Sequence, residues 1–275
     1  MKQEIRYLDR DFDWIRTTIK SKTGINLGEE KRDLVYNRLA RRVRGYGLAD
    51  FSAYIDYVTK NPAEEMESLI NAITTNVTAF YREPHHFEQL TRFIRTIPAN
   101  HRGGRKLRVW SAGCSSGMEP YTIAITIQEA TRGQKGWDAK ILATDLDTEI
   151  LRKAAAGEYR DNAVKDVDKP LRSRYFVDGK AANQGRSKVT PELRNLITFK
   201  RLNLMSQWPM KHPFDVIFCR NVMIYFDKPT QASLLERFVD RLAVGGLLCI
   251  GHSESIPPSM DRLESLGKTA FRKVK

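Results

Sequence analysis

The sequence is poor in cysteine and has no long apolar run. Its three cysteines, Cys114, Cys219 and Cys249, are odd in number and lack Cys-x-x-Cys spacing, which argues against a disulfide framework and a cysteine zinc site. No stretch approaches the roughly eighteen apolar residues of a membrane span, and no signal-peptide core follows the charged start of the chain. These absences predict a cytoplasmic protein without membrane insertion.

Histidine is also scarce, with five in the chain. His85 and His86 are adjacent, so on a helix their side chains are expected to point apart, and no His-x-x-x-His zinc spacing occurs. We therefore predict that the protein holds no metal ion.

Acidic residues are outnumbered by basic ones, 33 against 46, which leaves a net charge of +13. Such an excess favours an acidic partner, and nucleic acid, an acidic protein surface and anionic lipid all satisfy that condition. One predicted helix contains six basic residues and a single acid, Asp33. This basic cluster is either a binding surface for an acidic partner or, with equal weight, a helix face that is exposed to solvent. These cations are Lys31, Arg32, Arg38, Arg41, Arg42 and Arg44.

Apolar residues that recur at three and four positions from Phe12 to about Asn76 predict a domain of three or four short helices. Asp50 and Asn61 are placed to cap the later helices. A further helix is expected from Pro84 to Ile97, followed by a flexible linker. The predicted division is residues 1–80 for the helical domain, 81–104 for the helix and linker, and 105–275 for an α/β domain.

In the α/β part, strands alternate with helical patterns, which predicts a parallel, doubly wound sheet. Short strands predicted over residues 174–177 and 188–190, on either side of the turn-rich segment 178–186, indicate a small antiparallel β insertion, about residues 158–200. Residues 106–124 combine a strand, a tight turn bracketed by Gly113 and Gly117, and a helix that Pro120 can open. Such a turn is expected to approach a ligand too closely for side chains.

The glycine spacing and the nearby acids narrow the expected ligand. The turn is wider than Gly-x-Gly-x-x-Gly, and Glu119 stands where a pyrophosphate would be repelled, which disfavours NAD and ATP. A cationic cofactor such as S-adenosylmethionine suits Glu119 better, and Asp145 ends the next strand, where an acid takes ribose hydroxyls. An ordinary strand-to-helix turn is the alternative for the glycines alone.

Polar residues also follow two later strands, Asn203-Leu204 and Arg220-Asn221. Open α/β sheets bind ligands at the carboxyl ends of strands, although each Asn taken singly is equally a turn residue. Methyltransferases that act on amines typically carry Asx-Pro-Pro-aromatic at the second of these positions. This chain has Arg-Asn-Val-Met there instead.

Five motifs together resemble a known family. They are Asn-Val-Thr-Ala-Phe-Tyr-Arg-Glu at 76–83, Trp-Ser-Ala-Gly-Cys-Ser-Ser-Gly-Met-Glu-Pro-Tyr at 110–121, Ala-Thr-Asp-Leu-Asp at 143–147, Phe-Cys-Arg-Asn-Val-Met-Ile-Tyr-Phe at 218–226 and Gly-His-Ser-Glu-Ser at 251–255. The chain resembles the chemotaxis receptor methyltransferases, CheR, over essentially its whole length. The resemblance implies a Rossmann-like class I methyltransferase sheet with an N-terminal all-helical domain and a small antiparallel β insertion.

The resemblance also implies an activity, namely methyl esterification of specific glutamates on chemoreceptor cytoplasmic helices by S-adenosylmethionine, with S-adenosylhomocysteine as product. It places Arg82 and Tyr225 nearest the transferred methyl group. Together with Gly113, which the turn itself suggests, the expected cofactor contacts are Asn76, Thr78, Arg82, Glu119, Asp145, Asn203, Leu204, Arg220 and Asn221.

A glutamate side chain has a pKa of about 4.3 and is ionised at neutral pH, so this reaction requires no general base. We expect Arg82 to orient the carboxylate and Tyr225 to donate a hydrogen bond near the reacting atoms. The alternative for Arg82 is a surface salt bridge with Glu83 or Glu88.

The family assigns receptor contact to the helical domain, so Arg38, Arg41, Arg42 and Arg44 are the predicted receptor-binding residues, and nucleic acid is not an expected partner. In some members the β insertion docks a receptor C-terminal tail peptide. Two other functions stay open, an RNA or small-molecule methyltransferase, which the charge favours, and a cofactor-responsive binding module without turnover.

Overall fold

The computed structural model describes residues 4–99 and 103–275, so Asn100, His101 and Arg102 of the predicted linker lie outside the described residues. The chain divides into two compact units after Thr75. The first unit also includes Tyr225–Thr230, and the second comprises the rest of the chain. The predicted domains differ from these units, because residues 76–80 belong to the second unit and Tyr225–Thr230 belong to the first.

The first unit is helical, as the spacing of its apolar residues predicts. Its helices are α1 (Asp9–Thr23), α2 (Arg32–Gly45), α3 (Phe51–Lys60) and α4 (Pro62–Ile73). Each buries one apolar face, with Ile15, Leu39, Tyr54 and Leu69 fully buried.

One of the two predicted helix caps in this unit is present. The Asp50 side chain accepts a hydrogen bond of 2.9 Å from the Ala53 amide at the start of α3. The prediction that Asn61 caps the next helix is wrong for its side chain, because its Nδ2 donates to the Tyr57 carbonyl, 2.9 Å away, at the end of α3. Pro62 in the first turn of α4 supplies no N–H, so that helix start has one donor fewer to satisfy.

The second unit contains a seven-stranded sheet. Its strands are β1 (Arg105–Ala112), β2 (Trp137–Asp145), β6 (Ile197–Arg201), β7 (Phe214–Cys219), β8 (Leu242–Ile250), β9 (Leu263–Gly267) and β10 (Ala270–Lys273), in the order β6-β2-β1-β7-β8-β10-β9. The first five strands in this order are parallel, as predicted, and β10 is antiparallel to both β8 and β9. The sequence analysis did not predict the antiparallel edge.

Helices of the second unit pack around this sheet. They include α5 (His85–Thr96), which lies where the sequence predicts it, α6 (Met118–Ala130), α7 (Thr148–Ala156) and α10 (Lys228–Arg241), whose first three residues are grouped with the first unit. Leu90 of α5 and Ile123 of α6 belong to one apolar cluster with Val109 of β1 and Val216 of β7. This core fixes the carboxyl ends of the strands relative to α6.

The predicted β insertion is present and has three strands instead of the two that the sequence indicates. It comprises β3 (Glu158–Arg160), α8 (Lys169–Tyr175), β4 (Phe176–Asp178) and β5 (Arg186–Val189), and α9 (Pro191–Arg194) follows it. Both β3 and β4 pair with β5 in antiparallel fashion. The prediction that Arg174 and Tyr175 begin a strand is wrong, because both complete α8.

Within residues 4–99 and 103–275, no helix combines the length and the apolar character that are needed to span a bilayer.

Candidate functional site

The glycine turn after β1 has protein neighbours that exclude side chains. Gly113 has φ of 82°, and a Cβ on it would lie 2.3 Å from Cγ2 of Val222. Gly117 has φ of 89°, and its Cβ would lie 3.0 Å from both the Tyr159 hydroxyl and Cβ of Ala154. The expectation that a ligand excludes these side chains therefore gives way to packing and backbone conformation as the observed reasons.

The helix after this turn begins earlier than predicted. Gly117 occupies the N-cap position, and α6 starts at Met118, so Pro120 is its third residue and does not open it. The amide of a residue in the first turn has no partner within the helix, which explains why a proline is accepted there.

Asp145 lies at the carboxyl end of β2, where the sequence predicts a ribose-binding acid. Its Oδ2 accepts the Ser115 amide at 2.8 Å, and its Oδ1 accepts the Asp147 amide at 3.0 Å. Burial raises the pKa of this carboxyl, and the two backbone hydrogen bonds oppose that shift. Asp145 is therefore held rigidly beside the glycine turn, with lone pairs left over for further donors.

The segment that follows the helical unit joins the same strand ends. The Asn76 carbonyl accepts the Ser115 hydroxyl at 3.0 Å, and Nδ2 of Asn76 donates to Oδ2 of Asp147 at 2.8 Å. Thr78, two residues on, is half-buried. The structure thus brings Asn76 to the glycine turn and to the end of β2, as required if it contacts the same ligand as Asp145.

A buried ion pair links α6 to the end of β7. Oε1 of Glu119 accepts the Ser111 hydroxyl at 2.7 Å, and its Oε2 accepts Nη1 of Arg220 at 3.1 Å. Burial raises the pKa of Glu119, while Arg220 and Ser111 act in the opposite direction. The negative charge that sequence analysis assigned to a cationic ligand is thus already paired with a guanidinium.

Arg220 also reaches the 76–83 segment. Its Nη2 donates to the Arg82 carbonyl and lies 3.6 Å from Oε2 of Glu83. Two buried atoms here, Nε of Arg220 and Oε2 of Glu83, make no hydrogen bond with any described residue. One is a donor and the other an acceptor, which suits a bound ligand that carries both an anionic and a cationic group.

The Arg82 side chain is half-buried and donates from Nη1 to the Val77 carbonyl at 3.1 Å. The alternative of a salt bridge to Glu83 or Glu88 is wrong within the described parts of the chain, because Glu83 instead pairs with Arg220 and His252. Most of the guanidinium donors of Arg82 are thus left for an incoming group.

Asn203 and Leu204 follow β6 and form a turn. Oδ1 of Asn203 accepts the Met205 amide at 2.9 Å, which is the turn geometry that the sequence left as an alternative. The Leu204 carbonyl accepts Nη1 of Arg237, whose guanidinium lies 4.1 Å from the ring centroid of Trp208. This loop is therefore fixed by Arg237, a residue that sequence reasoning missed.

Asn221 has φ of 57°, a left-handed conformation that Asn adopts more readily than most residues. Its amide donates to Glu254 at 3.2 Å. Glu254 was part of a quoted motif, but the sequence analysis gave it no role.

Tyr225 belongs to the helical unit, where its carbonyl accepts the Asn26 amide at 2.8 Å. Its predicted place near the reacting atoms stays a prediction.

The arginines of α2 divide into two kinds. Arg38 donates to the carbonyls of Ile73 and Thr74 at the end of α4, and Arg42 forms a two-bond ion pair with buried Glu65, at 2.6 Å for each bond. Arg41 and Arg44 are exposed, which leaves them as the accessible members of the predicted receptor-binding set.

The prediction that His85 and His86 point apart is wrong, because their ring centroids are 4.2 Å apart. Donor atoms of both, with Glu83, converge within 4.8 Å. Nε2 of His86 contacts the Lys268 carbonyl at 3.1 Å and so carries the hydrogen, while Nδ1 lies 3.5 Å from Glu83. Since the Arg220 guanidinium lies beside the same Glu83 oxygen, it disfavours a metal cation at this cluster.

The three cysteines are buried, and burial raises the pKa of each thiol. A buried, protonated thiol is a poor nucleophile. The cysteines pack as small apolar residues.

A mixed sheet with this strand order, a glycine turn after β1, an acid at the end of β2 and polar residues at the end of β7 define a class I S-adenosylmethionine-dependent methyltransferase. The comparisons with known proteins are specific. A family model described as "CheR methyltransferase, SAM binding domain" matches residues 76–272, and one described as "CheR methyltransferase, all-alpha domain" matches residues 10–74. The chain belongs to the CheR methyltransferase family.

Two curated relatives match the chain almost from end to end. Chemotaxis protein methyltransferase 2 of Pseudomonas aeruginosa is 43% identical over 270 residues, which cover 98% of this chain and 95% of the relative. The chemotaxis protein methyltransferase of Escherichia coli is 42% identical over 273 residues, 98% of this chain and 93% of the relative. The protein is thus a methyltransferase of chemotaxis whose cofactor is S-adenosylmethionine and whose product is S-adenosylhomocysteine.

Proposed function

We propose that the protein transfers the methyl group of S-adenosylmethionine to glutamate side chains on the cytoplasmic helices of bacterial chemoreceptors. The observation that carries this substrate class is Arg82. Its main-chain carbonyl accepts Nη2 of Arg220 in the sheet unit, while its guanidinium donates to the Val77 carbonyl and has no carboxylate partner among the described residues. A substrate carboxylate matches such a cation better than an amine or a base does.

The chemistry requires little of the protein beyond placement. When bound, S-adenosylmethionine would supply an electrophilic sulfonium methyl group for a carboxylate oxygen of the substrate and would leave as neutral S-adenosylhomocysteine. A glutamate carboxylate is already ionised at neutral pH, so no residue has to remove a proton. Alignment and exclusion of water are the protein's contribution, and positioning alone supplies roughly 7 to 11 kcal/mol.

We assign the alignment of the substrate to Arg82 and Tyr225. A single contact from Arg82 orients the carboxylate, whereas a strong two-bond pair would stabilise the charged ground state and slow its neutralising attack. Tyr225 donates a hydrogen bond near the reacting atoms.

The cofactor is assigned to the strand ends of the sheet unit. Asp145 takes the ribose hydroxyls, as its place at the end of β2 and its fixed orientation support. Nε of Arg220 and Oε2 of Glu83, which make no hydrogen bond with any described residue, suit the carboxylate and the ammonium of the methionine part. The other proposed contacts are Asn76, Thr78, Arg82, Gly113, Glu119, Asn203, Leu204 and Asn221.

For the receptor, we propose that Arg41 and Arg44 of α2 meet acidic side chains of the substrate helix, because opposite charge speeds encounter and sets register. The β insertion is the proposed dock for a receptor C-terminal tail peptide by strand addition. Substrates of this kind place the reaction in the cytoplasm.

The decisive experiment incubates the protein with methyl-labelled cofactor and a receptor cytoplasmic fragment, and then raises the pH. Label that is released as methanol identifies a carboxyl ester and supports the proposal. Alkali-stable label, or label found only on added RNA, identifies a different methyltransferase. Cofactor binding without any label on either substrate identifies a binding module without turnover.

A further inference from the structure

The carboxylate of Glu254, just after β8, accepts five backbone amides. Its Oε1 accepts Val222 at 2.9 Å, Met223 at 2.8 Å and Ile224 at 3.3 Å, and its Oε2 accepts Asn221 at 3.2 Å and Gly251 at 2.6 Å. The carboxylate is buried and thus saturated by main-chain donors. No residue of the segment 221–224 provides a side chain for these bonds, so the carboxylate holds the shape of the backbone itself.

This segment carries Asn221 in its left-handed conformation. Gly251 packs against it so closely that a Cβ there would lie 2.6 Å from Nδ2 and 2.7 Å from the amide nitrogen of Asn221. Glu254 and Gly251 therefore fix Asn221 from the same side. Because a non-glycine residue with positive φ is strained, the bonds to Glu254 supply the compensation that keeps it there.

The other side of the segment meets the glycine turn and α6. Cγ2 of Val222 fills the space where Gly113 would carry a Cβ, and Arg220, immediately before the segment, is paired with Glu119. A shift of the backbone at residues 221–224 would consequently be passed to Arg220 and to the glycine turn. Through the backbone of residues 221–224, the carboxylate of Glu254 is thus connected to Asn221, to Arg220 and to the glycine turn.

We propose that Glu254 is a positioning residue of the cofactor site, which holds the backbone of 221–224 so that Arg220 and Asn221 face the cofactor. This inference rests on the proposed assignment of those two residues to cofactor binding. Glu254 acts through the main chain and touches neither cofactor nor substrate.

Glu254→Gln tests the proposal because it keeps the shape of the side chain but turns one acceptor into a donor that faces backbone N–H groups. Calorimetric affinities for S-adenosylmethionine and for S-adenosylhomocysteine are both expected to weaken, by the same factor of roughly tenfold or more. The cofactor is a cation at sulfur and the product is not. Weakening confined to S-adenosylmethionine would mean that only the charge of Glu254 matters and would overturn the proposal.

A second readout separates positioning from simple destabilisation. Amide hydrogen exchange in the peptide that contains residues 221–224 is expected to accelerate in Glu254→Gln, because the acceptor of its four amides loses its negative charge and one of the two oxygens is replaced by a donor. The matched control is Lys273→Met, which removes another buried charge of this unit, one that donates to the carbonyls of Val239 and Leu242. The control is expected to lower thermal stability while leaving both ligand affinities within about twofold of wild type.

A Glu254→Gln protein that loses thermal stability but keeps both affinities, or keeps slow exchange at 221–224, refutes the positioning role. If that variant does not fold, Gly251→Ala replaces it, since the added methyl must displace Asn221, and unchanged affinities in this variant refute the proposal equally. If Asn221→Ala binds the cofactor with wild-type affinity, Asn221 does not contact the cofactor, and the proposed role of Glu254 loses one of the two contacts on which it rests. None of these assays contains a receptor, so a failure of the proposed glutamate methylation would be visible separately.

Discussion

At the residue scale, the cysteines and His86 of the described chain are poorly suited to abstract a proton. The thiols are buried, and burial, together with the charges of Arg220 and His85, lowers the pKa of His86 to about 4. The guanidinium of Arg82 donates to the Val77 carbonyl and has no carboxylate partner among the described residues. This composition fits a substrate that arrives as an anion.

For Arg82→Ala, we expect a slower methyl-transfer step, by roughly a hundredfold, with the cofactor still bound. The reason is that the substrate carboxylate loses its orienting contact. Single-turnover kinetics with a receptor fragment measure this step directly. Asp145→Ala is the contrasting variant, because losing the ribose contact should weaken cofactor affinity by calorimetry. Wild-type single-turnover rates in Arg82→Ala would remove its role.

Residue predictions from sequence succeeded where a residue's position in its element determined its place. Asp145 ends a strand, and parallel strands end at a common edge, so it lies beside the glycine turn as expected. The relation between His85 and His86 was not predictable from their adjacency, because it depends on the first turn of α5 and on Lys268 from another part of the sheet. Glu254 was missed because all its partners are backbone amides, which leave no pattern in the sequence.

At the scale of elements, the arginines of α2 have two kinds of surroundings that the sequence does not separate. The carboxylate of Glu65 accepts hydrogen bonds from Arg42, Tyr46 and Tyr54. Burial on its own would raise the pKa of Glu65, but these bonds together outweigh burial and lower it. One face of the helix is therefore structural, and Arg41 and Arg44 lie on the exposed surface.

Reversing Arg41 and Arg44 to Glu should raise the KM for the receptor fragment by roughly tenfold and flatten its salt dependence, because these charges attract acidic receptor helices. Cofactor affinity and thermal stability should not change. Arg42→Met is the contrasting variant. It should cost roughly 3 kcal/mol of stability, because it leaves the buried Glu65 carboxylate without its cation. Receptor kinetics that are unaffected by the reversal would identify the exposed arginines as a solvated face.

Elements with strong local signals were predictable and those without them were not. The sequence predicts a helix over residues 148–156, and α7 has these bounds because Asp147 accepts two amides at its start and Gly157 ends it in a left-handed conformation. The strands β3 and β4 have three residues each, too few to show an alternating pattern. The edge strands β9 and β10 follow a segment without a clear period, and only pairing with β8 makes them strands.

At the scale of the whole molecule, His86 couples stability to pH. Its pKa in the folded state, about 4, lies below the ordinary value of 6.5. Between these values the unfolded chain takes up a proton that the folded protein does not, so the free energy of unfolding falls as pH decreases through this window. The raised pKa values of Glu119, Asp145 and Glu254 act in the opposite direction, since their folded forms bind protons more readily.

We expect wild type to lose roughly 1 kcal/mol more stability than His86→Gln between about pH 7.5 and about pH 5.5. Gln retains a donor for the Lys268 carbonyl and does not titrate. Denaturant unfolding at the two pH values measures the difference. His212→Gln, at an exposed position, is the control and should follow wild type. Identical pH dependence in wild type and His86→Gln would show that His86 is not the group responsible.

The sequence by itself determined the fold class, most of the helices, the parallel strands and the nature of the cofactor, because periodicity, caps and strand-end residues are local or arise from regular geometry. Only the tertiary structure decided how the charges are used. In the structure, Glu119 pairs with Arg220, Arg42 pairs with Glu65, and five backbone amides donate to the carboxylate of Glu254. Pairing of buried charges depends on distances between segments far apart in sequence, which residue types and spacing do not specify.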